Sequence, residues 1–271
     1  MAIRILQMFH TNRFLIIIIV LFLFAGCSSK SIDKKGFQVS EISEDEEGQK
    51  VVGLPIDSLH METNPRNVLI TSSSEHRITP IYKVNYNRRT NQPFTGVNYF
   101  HSSWDYEKSE GNNWNGNLMP GFEVVYGYNL VNISHYNNRT QTQNKLFSTP
   151  VLIKNFYYPA FSNDTLNFEP IRRNYYMVSV YDEDSNKDGF INAKDLRRFY
   201  YFDINGTNKK ALIPNNYSVM SSEYDFANDF MYILAKEDRN TNGQMELSEP
   251  TDIFWIDLKN PDKVGIQYKS E

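Results

Sequence analysis

Two twelve-residue stretches hold the chain's best-placed oxygen ligands: residues 184–195 read DSNKDGFINAKD and residues 238–249 read DRNTNGQMELSE. In the first, Asp184, Asn186 and Asp188 stand at positions 1, 3 and 5, Gly189 at the turn, Phe190 with its carbonyl at position 7, Asn192 at position 9 and Asp195 at position 12. In the second, the same places fall to Asp238, Asn240, Asn242, Gly243, Gln244, Glu246 and Glu249. A hard divalent cation that takes about six to eight oxygens is enclosed by such a set, provided the loop turns sharply at its glycine. Each loop brings three carboxylates (Asp184, Asp188, Asp195; Asp238, Glu246, Glu249), so two calcium ions are the expected cofactors. Asp195 is shorter than Glu249 and reaches an ion with one oxygen where Glu249 offers two, so the first loop is expected to bind less tightly. Asp, Asn and Gly also favour plain hairpin turns. Two matches in register weigh against that simpler explanation.

Asp238 follows Asp184 by 54 residues, and the same spacing aligns the flanks without a gap. MVSVYDED (177–184) lies over MYILAKED (231–238), and FYYFDINGTNKKALI (199–213) lies over IFWIDLKNPDKVGIQ (253–267). A repeat of this length is a supersecondary unit that buries its apolar face against its neighbours. Its flanks are short β-branched and aromatic clusters bounded by Asp, Asn and Gly, which predicts the order strand, ion loop, strand, turn, strand. The loops resemble those of EF-hand proteins in the loops alone; without flanking helices no sensor activity is implied. The two segments that follow the loops are similar to the strand, Asp, turn, basic residue, strand signature of TolB-type β-propeller blades. That resemblance implies four-stranded blades packed around an axis.

Further strands are expected near residues 67–71, 78–85, 122–134 and 146–153. Units without an ion loop are read around residues 77–93 and 124–155, giving about four in all. With 18 Tyr and 18 Phe and no long helical periodicity, residues 51–271 are expected to form one all-β domain. Its expected form is a β-propeller-like array of about four repeat units with calcium loops between strands; the alternative is a β-sandwich.

The start of the chain has its own chemistry. Arg4 and Arg13 precede an apolar run, FLIIIIVLFLFA (14–25), too short for a comfortable membrane span and suited to a secretory signal. Phe24, Ala25, Gly26 and Cys27 then resemble a bacterial lipobox, which implies a signal peptide over residues 1–26, cleavage before Cys27 and acylation of its sulfur. Cys27 is the single cysteine, so no disulfide forms within the chain. Residues 27–50, with the acidic run Glu44, Asp45, Glu46 and Glu47, are expected to be a disordered tether, with an ordered strand around residues 37–42 as the alternative.

Removing residues 1–26 takes two of the 28 Lys and Arg and none of the 32 Asp and Glu, leaving a net charge of −6. Such a chain offers no basic footprint for nucleic acid. The histidines after residue 26 are His60, His76, His101 and His135, without an HExxH pair, and there is no GxSxG elbow or phosphate-cradling glycine loop. Residues 99–122 form a long Gly/Asn-rich stretch with Trp104, Trp114 and a His101, Asp105, Glu107 group; the indoles are expected to cover the core. The expected function is a calcium-binding lipoprotein of the bacterial cell envelope, anchored to a membrane, the outer one expected, through Cys27. There it faces the periplasm or the cell surface and binds or scaffolds an envelope protein or glycan, with the ions structural. The alternative is an envelope hydrolase acting on glycan or peptide through a loop-borne site.

Overall fold

The computed structural model describes residues 36–44, 50–55, 61–87, 89–95, 98–100, 119–127 and 129–271, all within the unit Asp33–Glu271. The signal segment, Cys27, Trp104, Trp114 and the His101, Asp105, Glu107 group lie outside the described residues.

The described residues form strands and no helix. In chain order the first are β1 (Phe37–Gln38), β2 (Ser40–Glu44), β3 (Lys50–Pro55), β4 (Thr63–Pro65), β5 (Leu69–Ile70), β6 (His76–Tyr86), β7 (Pro93–Thr95) and β8 (Asn98–Phe100). Next come β9 (Phe122–Gly127), β10 (Leu130–Asn137), β11 (Thr142–Lys145), β12 (Leu152–Pro159), β13 (Asp164–Leu166), β14 (Glu169–Ile171) and β15 (Tyr175–Tyr181). The last are β16 (Phe190–Ile191), β17 (Arg198–Asp203), β18 (Lys210–Ala211), β19 (Tyr217–Asp225), β20 (Phe230–Glu237), β21 (Thr251–Asp257) and β22 (Val264–Tyr268). Two strands, β1 and β2, therefore fall within the stretch expected as a tether.

Three antiparallel sheets carry the fold. Sheet I runs β11-β10-β6-β4, sheet II runs β18-β17-β15-β12-β9-β8 and sheet III runs β19-β20-β21-β22. β15 is a nearly continuous apolar run buried at six of its seven positions, because sheet II has neighbours on both faces. One apolar cluster joins sheets I and II through Ile78, Tyr82, Ile133, Phe156, Tyr176 and Val178. A second joins sheets II and III through Met177, Phe199, Met231, Ile233, Phe254 and Ile256. Each large side chain so buried contributes about 1.5–3 kcal/mol. Between sheets II and III the buried Arg173 also grips Asp229 at 2.7 Å and donates to the carbonyls of Pro120 and Leu258, so both charges are paired and hydrogen-bonded.

The internal repeat is present in the backbone. The meander β12-β15-β17-β18 recurs as β19-β20-β21-β22, down to a bulge between Ile153 and Asn155 that reappears between Val219 and Ser221. The gapless alignment needs correction, however. The bulges set Val180 against Ile153 and Ala235 against Val219, which puts β15 and β20 55 residues apart. One residue more separates β15 from its loop than separates β20 from its own, so Met177 takes the place of Tyr232 and not of Met231.

The expected strand over residues 122–134 is broken at Asn129, whose φ of 56° turns the chain so that β9 joins sheet II and β10 joins sheet I. The strand expected over 146–153 begins only at Leu152, while Leu146 and Phe147 instead fill the first cluster. Among the described residues the four-stranded meander occurs twice, in sheets II and III, where about four units were expected; sheet I is not a third, because β8 and β9 leave for sheet II between β6 and β10.

Candidate metal centre

Loop 184–195 leaves β15 and enters β17, and loop 238–249 leaves β20 and enters β21, so strand ladders hold both ends of each. Their first halves repeat one another bond for bond. Asp184 accepts the Asp188 N–H at 3.0 Å and the Gly189 N–H at 2.8 Å; Asp238 accepts the Asn242 N–H at 3.1 Å and the Gly243 N–H at 3.0 Å. Asn186 and Asn240 each accept the N–H two residues on at 3.0 Å, and Asp188 and Asn242 do the same at 3.1 and 2.8 Å. Lys187 with Gly189, and Thr241 with Gly243, take positive φ at matching positions. Asx-type bonding of this kind is what the Asp/Asn spacing encodes.

The closing positions differ. Asp195 is fully buried, and both its oxygens are taken by protein donors: Oδ1 accepts the Ser185 N–H at 3.0 Å and Oδ2 the Asn192 N–H at 2.8 Å. Burial pushes its carboxyl up to about 6, against the opposing pull of the backbone N–H groups and with help from Asp184 and Asp188. In Glu249, Oε2 accepts the Glu246 N–H at 3.1 Å, as Oδ2 does in Asp195. Its Oε1 is buried and has no hydrogen-bond partner. Glu246 accepts the side-chain amides of Asn240 and Asn242 at 3.1 and 3.0 Å, and Gln244 and Phe190 have carbonyls at the seventh place.

The loops also touch, which their sequences did not reveal. Ser185 Oγ donates to the Gly243 carbonyl at 2.6 Å, and Asp195 pairs with Gln244 in a single antiparallel bridge. A Cβ on Gly243 would stand 1.9 Å from the Ser185 carbonyl oxygen, so only glycine allows this approach. The first loop is met in the same way from the other side. The Val39 and Ser40 N–H groups donate to the Gly189 carbonyl, and β1 pairs with β16, putting Phe37 opposite Ile191. The row runs β1, first loop, second loop. Ser185, β1 and the adjoining Gly36, where a Cβ would stand 1.6 Å from the Ile191 carbonyl oxygen, are thus parts of the site that ligand spacing alone did not find.

Among the described residues no group of three or more His, Cys, Asp or Glu side chains converges on a point that would hold a metal ion. The first-position carboxylates are turned onto their own loop's N–H groups, and the other oxygens belong largely to amides and carbonyls. Each carboxylate oxygen of Asp184 and Asp238 keeps lone-pair capacity beyond the one N–H it accepts, so this donor set fits a hard oxygen-seeking cation better than a soft one. Of the remaining histidines, His76 and His135 meet through Nδ1 and Nε2 at 3.0 Å beneath sheet I, where His135 also contacts Asn144; His60 lies outside the described residues.

No family model matches the chain, and no curated protein matches it. Among solved structures it is similar to a chain of a nidogen/laminin complex, at 8% identity and a TM-score of 0.25, over 87% of this chain and 76% of that one. A likeness at that level carries no argument about fold or function.

Proposed function

We propose that the chain is a calcium-stabilised binding or scaffold module of the bacterial cell envelope, held to a membrane by lipid on Cys27. The observation that carries the calcium reading is Glu249 Oε1, a buried carboxylate oxygen without a partner at the closing position of a twelve-residue oxygen loop. Leaving such a group unsatisfied costs about 1–3 kcal/mol, more for a charged one, and a cation removes that cost. Asp238, Asn240, Asn242, Glu249 and the Gln244 carbonyl would hold one ion, with Glu246 acting directly or through water. Asp184, Asn186, Asp188, the Phe190 carbonyl, Asn192 and Asp195 are the corresponding set for the other. Bound calcium supplies neutralising charge, and because it binds only the folded loops it supplies folding free energy to a chain that has no disulfide.

The same reading takes the sheets as propeller-like blades, supported by the recurring four-stranded meander and by face-to-face packing of sheet II on sheet III. An acidic net charge and a lipid anchor favour an envelope protein or glycan as partner over nucleic acid. Two experiments test the proposal. Calcium at millimolar concentration should raise the melting midpoint over that in chelator, and no change would defeat the calcium reading. Cys27→Ser should abolish incorporation of a fatty-acid probe, and continued labelling would defeat the anchor.

A further inference from the structure

The arm that precedes the sheets is seated on the first loop much as the first loop is seated on the second. At the sixth place of each loop a glycine carbonyl faces outward: Gly243 takes the Ser185 hydroxyl, and Gly189 takes the N–H groups of Val39 at 2.8 Å and Ser40 at 3.3 Å. Opposed residues in an antiparallel pair alternate between those that exchange bonds across it and those that do not. With Val39 bonded to Gly189 and Phe37 opposite Ile191, the bonded places are 189 and 191, and Phe190, opposite Gln38, falls between them. Its N–H accordingly turns away from the arm to Asp188 at 3.1 Å, and its carbonyl, the ligand at the seventh place, turns to the same side. The pairing therefore aims the backbone ligand of the first loop into that loop.

Among the described residues little else holds the arm. Gly36 takes a φ of 66° and lies directly against the Ile191 carbonyl, where no side chain would fit. Phe37 is 3% exposed and fills a small cluster with Ile81, Val131 and Ile191. Gln38 is exposed, and β1 pairs with β16 alone. One large buried side chain and a few backbone bonds are thus set against the ordering of five residues, which leaves docking close to balance. A segment in that state opens locally while the sheets stay folded, and a modest differential affinity shifts it.

We infer that residues 36–40 are an ion-linked strap: calcium in the first loop and docking of the strap stabilise each other, so the ion sets how far the domain can stand from its anchor. The linkage rests on the calcium reading of the two loops, supported by the buried, unpartnered oxygen of Glu249 in the adjoining loop. An ion on the Phe190 carbonyl favours the backbone that β1 holds, and undocking β1 frees that carbonyl to turn away. Each partner must then strengthen the other by the same factor. Cys27 stands nine residues before Gly36, and release of the strap adds five residues, about 17 Å of extended chain, between lipid and domain. With calcium the domain is held short against its membrane; without it the lead is longer.

Hydrogen exchange of the full chain in detergent micelles tests the strap without altering it. In millimolar calcium the Val39 and Ser40 amides should exchange about fivefold or more slowly than in chelator, with no comparable slowing in β13-β14, a two-stranded pair that bonds to neither loop. By reciprocity, Val39→Pro, which deletes the N–H held by the Gly189 carbonyl, should weaken one of the two calcium sites by about the same factor in calorimetric titration, while the circular dichroism spectrum stays native. Should that variant fail to fold, the exchange comparison decides, since it needs no substitution. A chain that binds no calcium at millimolar concentration would overturn the strap and the calcium reading together. Calcium binding without slower exchange in the strap, slowing shared equally by β13-β14, or a folded Val39→Pro with both affinities unchanged would overturn the strap alone.

Discussion

The loop at residues 184–195 and the loop at residues 238–249 share their turns, their positive-φ residues and their Asx hydrogen bonds, yet they are closed by different means. In the first, Asp195 spends both oxygens on the protein, tying Ser185 and Asn192 to the loop's end. In the second, Glu249 spends one oxygen on Glu246 and keeps the other buried and unpartnered. The first is the more enclosed, gripped by β1 on one side and by its neighbour on the other, whereas Asn240, Thr241 and Asn242 of the second are exposed. One backbone motif can therefore be closed by protein donors or left to be closed by a cation. The extra methylene of Glu249 and, among the described residues, the missing outer neighbour separate the two.

Breaking the contact between the loops should have the largest effect. In Gly243→Ala the new methyl meets the Ser185 carbonyl, at a backbone φ of 72° that favours glycine. A loss of about 3 kcal/mol or more is expected in calcium-free denaturant unfolding; a loss below about 1 kcal/mol would show that the loops do not meet as described.

Exchanging the closing residues comes next and should split stability from binding. Glu249→Gln is expected to weaken one calcium site about tenfold or more, equal to about 1.4 kcal/mol, while leaving calcium-free stability unchanged or slightly raised, since an unpartnered buried charge is removed. Asp195→Asn should do the reverse. It sets an amide against N–H groups, lowers calcium-free stability by about 1–3 kcal/mol and reduces affinity less than Glu249→Gln does. Calorimetric titration beside denaturant unfolding reads both quantities, and equal losses in the two variants would erase the distinction.

Smaller again is Ser185→Ala, which removes the hydroxyl bond to Gly243 and should cost about 1 kcal/mol. Its effect should vanish when Gly243→Ala is already present, a double-mutant result that additive losses would contradict.

The least effect expected comes from acid acting away from the loops. Burial first, and then the neighbouring His135, hold His76 below its ordinary 6.5. The unfolded chain therefore takes up the proton before the folded one, and this contribution is complete above pH 6.5 and lost as pH falls from there through the lower value of the folded state. Melting midpoints followed downward from neutral pH should fall alike in chelator and in calcium. A fall seen only in calcium would place the titration in the loops instead, where protonation of the carboxylates releases the ion.

Much of the architecture was legible in the residues. The Asp/Asn/Gly spacing specified the loop conformation because Asn186, Asp188, Asn240 and Asn242 each find the N–H two residues on, and Asp184 and Asp238 those four and five residues on. β-branched and aromatic clusters around Tyr175, Arg198, Phe230 and Thr251 marked the strands that hold the loops. What stayed hidden depended on distant partners. The one-residue slip between β15 and β20 appears only when the bulges at Ile153 and Val219 are paired across the sheet. β19 was missed because YSVMSSEYD is polar for a strand, and it is held in place by β20. At the site, the contacts of Ser185 with Gly243 and of β1 with Ile191 join segments 58 and 154 residues apart, beyond what local spacing encodes. The difference between Asp195 and Glu249 was visible as chain length, but not which of the two had its oxygens already taken.

Thermal melting of the full chain in calcium and in chelator, alongside Glu249→Gln under the same two conditions, tests the central claim most directly. A ligand that binds the native state at about 100 times its dissociation constant adds about 2.7 kcal/mol. The midpoint of the unaltered chain should rise by several degrees in millimolar calcium, with about half of that rise absent in Glu249→Gln. An unaltered chain that melts at the same temperature in calcium and in chelator would contradict the account.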